Sequence, residues 1–125
     1  MKLSMRSKGF SLIEVLMAML ILAISLLALA GLMVTTTRNN SFGGHMTEAA
    51  TFAQDKLEQL RGAAWASILP GADTVVGATG IRYARNWIVA TNPNGDQAWV
   101  TITMNWTDPT ARTNHSINLR AVVSQ

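Results

Sequence analysis

Glu14 is the side chain whose surroundings ask most for chemistry. Between positions 12 and 34 the only strongly polar side chains are Glu14 and Ser25. A carboxylate inside a membrane helix costs about 2.5 to 3.5 kcal/mol at the bilayer centre and less near the interface, so it marks a functional position by default. The plain explanation is the helix macrodipole, which favours an acid in a first turn by about 0.3 to 1 kcal/mol without any partner. That accounts for Glu14 at a wet interface, but not inside lipid or a protein core, where an unpaired carboxylate is costly. Just ahead of it stand Gly9 and Phe10, preceded by Lys2, Arg6 and Lys8.

The other reactive side chains point to little. His45 and His115 are the only histidines and there is no cysteine, so no metal cluster is implied and both histidines read as solvated. Asp96 and Asp108 fall in turn-forming stretches, where backbone capping explains an aspartate. There is no Ser/His/Asp constellation, no strand-led glycine-rich phosphate loop and no cysteine nucleophile. The chain therefore reads as not an enzyme, with no cofactor, metal or small-molecule substrate; a membrane-anchored enzyme is the weaker class. Trp65, Trp87, Trp99 and Trp106 are many tryptophans for 125 residues. Interleaved with Arg82, Arg85 and Arg120 they suggest a platform for single-stranded nucleic acid or sugar. Core filling and cross-strand pairing explain most of them more simply. Arg82 and Arg85 offer a small basic edge, but two arginines do not make a nucleic-acid site.

These groups must be positioned by three kinds of element. Residues 12–34 are apolar enough, and at about 1.5 Å per residue long enough, to cross roughly 30 Å of hydrocarbon as a helix. The run is too long for a secretory signal peptide, whose apolar core is about 7 to 15 residues. The stretch 35–41 is polar with modest helix propensity. Gly43-Gly44 then permits either a soft joint or a helix end, with Thr47 capping a new helix. From Met46 the helical pattern is clear: Met46, Ala49, Ala50, Ala53, Leu57, Leu60 and Ala64 share one face. No proline precedes Pro70, so one helix from Phe10 to about Gly62 is allowed. Residues 65–80 read as irregular, with Thr74-Val75-Val76 a short strand. Three alternating strands follow at 81–91, 99–106 and 116–123, joined by Asn92-Pro93-Asn94-Gly95-Asp96 and Asp108-Pro109-Thr110-Ala111-Arg112-Thr113. The expected fold is α+β: a long N-terminal helix, membrane-spanning then amphipathic, packed on a small antiparallel sheet of three to four strands.

The formal charge of +3 does not argue for nucleic acid. Three of the ten Lys and Arg are Lys2, Arg6 and Lys8, which leaves seven against seven Asp and Glu. The early positive charge marks orientation instead, with the segment after the span facing outward. An exported domain this small without a disulfide must hold its tail by pairing and packing.

Gly9-Phe10-Ser11-Leu12-Ile13-Glu14 after a short basic leader resembles the class III signal of type IV pilins and pseudopilins. The resemblance implies cleavage between Gly9 and Phe10 by a prepilin peptidase, N-methylation of Phe10, and retention of the apolar helix. Glycine suits such a cut because, without a Cβ, its backbone lies extended in a protease groove. It also implies that Glu14 meets the N-terminal amine of a neighbouring subunit and sets the stagger during assembly. Ala53-Gln54-Asp55-Lys56-Leu57-Glu58-Gln59-Leu60-Arg61 is similar to the segment that closes the helix in PilV-like minor pilins and some type II secretion pseudopilins. An ordinary amphipathic helix would give the same residues. Gly31 stands where many major pilins carry proline.

The expected organisation is a leader at 1–9, a transmembrane and filament-core helix at 10–34, and a periplasmic or surface domain at 35–125. The expected function is that of a minor pilin, a structural and assembly component of a type IV pilus, in a filament-initiating or tip complex. The alternative is a pseudopilin of a type II secretion system; a major or DNA-uptake pilin ranks lower. The implied partners are other pilins, through the N-terminal helix, and the prepilin peptidase, with nucleic acid disfavoured. The implied location is the bacterial inner membrane, single pass, with the N-terminus cytoplasmic, before assembly into a pilus or pseudopilus.

Overall fold

The computed structural model describes residues 9–125; Lys2, Arg6 and Lys8 of the expected leader lie outside the described residues. Helix α1 is Leu12–Arg61, and four strands follow: β1 Gly71–Val76, β2 Arg82–Thr91, β3 Gln97–Thr107 and β4 Asn114–Ser124. The chain divides into two compact units, Met1–Asn40 and Ser41–Gln125. The expected α+β architecture is present, and the sheet has four strands, within the three to four expected.

In the first unit, every described residue of α1 is exposed, including Leu16, Leu20, Leu27 and Leu32. This part of the helix is long and apolar enough to cross a membrane. Its few hydroxyls are satisfied from within. Ser25 donates to Ile21 O at 2.8 Å, and Thr35, Thr36 and Thr37 donate to Gly31 O, Leu32 O and Met33 O at 3.1, 3.0 and 2.9 Å. Side chains that bond back to the preceding turn leave no polar group seeking a partner in an apolar surround.

In the second unit the helix continues through Gly43 and Gly44, so the reading that ends a helix there does not hold. Thr47 is no cap: its hydroxyl donates to Gly43 O at 2.9 Å, one turn back inside the helix. Ala49, Ala53, Leu57 and Leu60 form the buried stripe, spaced to share one side of a 3.6-residue helix. Met46 and Ala64, expected on that stripe, are exposed; Phe42 and Phe52 pack against the core instead.

The sheet is a meander, β1-β2-β3-β4, antiparallel throughout. Alternation sends Tyr83, Trp87, Val100, Ile102, Met104 and Trp106 into the core under the helical stripe. The segment expected to be irregular contains a 3-10 turn, Trp65–Ser67, and a six-residue strand β1 that includes Thr74-Val75-Val76. The β2–β3 turn is organised by Asn92, whose side-chain oxygen accepts from the backbone N–H groups of Asp96 and Gln97, both at 3.2 Å.

Candidate functional site

The residues singled out at the N-terminal end stand together at the start of α1. Gly9 and Phe10 precede regular structure and both are exposed. Ser11 is the cap: its hydroxyl accepts from Glu14 N at 3.3 Å, and its carbonyl accepts from Glu14 N and Val15 N at 3.1 and 3.2 Å. Glu14 is therefore the third helical residue, and Ser11-Leu12-Ile13-Glu14 reads as a capping-box sequence. Among the described residues the Glu14 carboxylate has neither a hydrogen-bond nor a salt-bridge partner. Glu14 lines an open concavity of about 450 Å³ with Phe10, Val15, Ala18, Met19 and Leu22. The arrangement is a single acid in the first turn, at the end of an otherwise apolar helical face. It can receive one cationic group, with apolar contacts below. A Cβ at Gly9 would meet no described atom, so a glycine there answers no packing demand.

A second polar cluster lies in the other unit, and sequence reasoning did not assemble it. Glu48 Oε1 accepts from Ala78 N and Glu48 Oε2 from the Tyr83 hydroxyl, both at 2.7 Å. The Tyr83 oxygen lies 3.4 Å from His45 Nδ1. The Ala78 N–H, and after it the Tyr83 hydroxyl, hold the Glu48 carboxyl below its usual range. Burial, then the neighbouring Glu48 carboxylate, pushes the Tyr83 phenol well above its ordinary value. A Cβ at Gly77 would run into the Glu48 carboxylate, so a larger residue there would have to push that acid away from its two bonds. The cluster ties the helix to the β1–β2 turn and to β2.

Arg85 is buried rather than part of a basic edge. Its Nε and Nη2 donate to the two carboxylate oxygens of Asp73 at 2.7 and 2.6 Å, and its Nη1 donates to Phe52 O at 2.8 Å. That bond holds the Asp73 carboxyl below its usual range. Arg82 is exposed on the other side of β2, since residues three apart on a strand face opposite ways. The expected edge is not formed, for that reason.

The histidines also depart from the solvated reading. His45 and His115 are half-buried, and His115 packs between Phe42 and Trp106 at ring-centroid distances of 4.8 and 5.6 Å. The tryptophans divide: Trp87 and Trp106 are core, Trp65 is half-buried, and Trp99 stands on the outer face. Trp87 donates to Leu69 O at 2.9 Å and lies under the Lys56 amine at 3.9 Å. Asp108 behaves as expected: its carboxylate accepts from Ala111 N and Thr110 N, and these bonds, the Ala111 one foremost, hold it below the usual carboxylate range. Among the described residues no group of His, Cys, Asp and Glu is arranged to hold a metal.

Residues 4–30 match the model of the prokaryotic N-terminal methylation motif. The match takes in Gly9, Phe10 and Glu14, and supports a type IV pilin-like prepilin, either a pilin or a pseudopilin. No curated protein and no solved structure matches the chain.

Proposed function

We propose that this chain is a minor pilin of the PilV-like kind, a structural and assembly component of a type IV pilus without catalytic activity. The observation that carries the proposal is the methylation motif leading into a helix whose first part is exposed at every described residue. A stretch of exposed leucine, isoleucine and methionine that long is tolerated only in lipid or against other helices. In this reading the peptide bond between Gly9 and Phe10 is cut by the prepilin peptidase and Phe10 is N-methylated. Residues 10–34 hold the protein in the inner membrane and later enter a filament core, while 35–125 are displayed on the periplasmic side. The new amine of a neighbouring subunit meets Glu14, the only acid of the apolar run. The concavity beside Glu14 then takes apolar side chains from that neighbour.

The same observations support a pseudopilin of a type II secretion system, which differs in its partners. Mass spectrometry of cell envelopes tests the processing step: the expected N-terminus is a methylated Phe10. A chain still beginning at Met1, or trimmed downstream of the apolar helix, overturns the proposal. Glu14→Gln is expected to insert into the membrane normally but to enter filaments poorly. Unchanged incorporation removes the role given to Glu14. Which sheared filament carries the chain, pilus or secretion pseudopilus, separates the two readings.

A further inference from the structure

Residues 35–44 of α1 are held by little besides their own helix. Thr35 to Ser41, Gly43 and Gly44 are exposed, and Phe42 is the one side chain of the ten that packs against the core. The helix on either side is better supported. Residues 12–34 are apolar enough for hydrocarbon, where a backbone group that leaves its helical bond finds no water to replace it. Beyond His45, Ala49, Ala53, Leu57 and Leu60 are buried in the core. Between the two, the backbone of 35–44 can exchange each helical bond for one to water.

The residue types weaken the same stretch. Eight of the ten are Thr, Asn, Ser or Gly; the first three are poor helix formers, and glycine ranks below them. Threonine loses side-chain freedom in a helix, and asparagine and serine compete for the backbone. Thr35, Thr36 and Thr37 bond back to the carbonyls of Gly31, Leu32 and Met33, a geometry that slightly destabilises a helix and tends to bend it. Gly43 and Gly44 answer no packing demand. An added Cβ would meet nothing within 4 Å at either, whereas at Gly71 and Gly77 it would meet Trp87 and Glu48. Alanine would fit at both positions and hold the helix more firmly.

We infer that 35–44 is a joint, at which α1 opens reversibly while 12–34 and 45–61 stay helical. The two compact units, which divide between Asn40 and Ser41, then turn independently in the membrane-bound chain. Opening in mid-helix creates two new helix ends, which is costly; the low propensity of ten consecutive residues and the gain of water offset that cost here. The inference rests on the proposed function only in placing 12–34 in lipid. The cut after Gly9 and the role of Glu14 do not enter it.

Hydrogen exchange of the full chain in detergent micelles, read by mass spectrometry of its peptides, tests the joint. Amides of 36–44 are expected to exchange about tenfold or more faster than those of 16–34 and 49–60. Gly43→Ala with Gly44→Ala is expected to slow 36–44 by roughly 15- to 30-fold, since each change favours the helix about four- to fivefold, and to leave both flanks as they were. Asn39→Ala with Asn40→Ala, which spares the glycines, is expected to slow 36–44 by a smaller factor and preserves the test if the first variant folds poorly. Exchange at 36–44 as slow as in both flanks, or no slowing in either variant, overturns the inference and leaves the membrane placement standing. Exchange at 16–34 as fast as at 36–44 overturns both, so the two failures are told apart.

Discussion

Removing Asp73 should cost far more stability than removing its partner Arg85. The Arg85 side chain is 8% exposed, whereas that of Asp73 is 39% exposed. In Asp73→Ala the guanidinium stays buried and keeps one acceptor, Phe52 O at 2.8 Å. Leaving a buried charge without its counter-ion costs about 3 to 5 kcal/mol. In Arg85→Met the remaining carboxylate turns to water and the apolar stem is retained, so the net loss is under about 2 kcal/mol. The assay is urea unfolding of the full chain in mild detergent, followed by tryptophan fluorescence, since Trp87 and Trp106 are core residues. With a slope of about 2 kcal/mol per molar urea, Asp73→Ala should lower the midpoint by about 2 M and Arg85→Met by less than about 1 M. Acid supplies a further check. The Asp73 carboxyl is lowered in the folded state, mainly by its bond to Arg85. Its contribution is thus complete above the unfolded value of about 4 and is lost as pH falls through the folded value. The gap between the native chain and Asp73→Ala should narrow over that window. Equal costs, or a larger cost for Arg85→Met, would refute the reasoning.

Gly71→Ala places a Cβ 2.6 Å from the Trp87 ring, which Leu69 O and Lys56 hold in place, so a loss of about 1 to 3 kcal/mol is expected in the same unfolding assay. Tyr83 is the only tyrosine, so tyrosinate absorbance reads it alone: ionisation is expected well above pH 10 in the native chain and at lower pH in Glu48→Gln. Because the folded value is raised, the Tyr83 contribution is complete below about pH 10 and is lost as pH rises through the folded value. Trp106→Phe removes an indole N–H that is buried without a partner among the described residues; the cost should fall below the ~3 to 5 kcal/mol typical of truncating a buried tryptophan to alanine.

Much of this was written in local pattern. The apolar run and the lone Glu14 mark a membrane-length helix with one costly acid, because membrane thickness and carboxylate desolvation act on composition alone; the prepilin-like start rests on the resemblance at residues 9–14 and the motif match over residues 4–30. Period 3.6 before Gly62 and period 2 after Gly80 marked helix and strands, because both repeats follow from backbone geometry. Ser11 was legible too, as the first letter of a capping box. Other features depended on which strand lies beside which. Arg85 reads as a surface cation until β1 pairs with β2 and brings Asp73 opposite it. Glu48 is an unremarkable helical acid until the fold brings Ala78 and Tyr83 to its two oxygens. His115 enters an aromatic stack, and Trp99 turns outward, through register and coverage by the helix. Periodicity is a property of neighbours in the chain and can be read from it; ion-pair partners and shifted acidities belong to residues distant in sequence, and only the tertiary structure decides them.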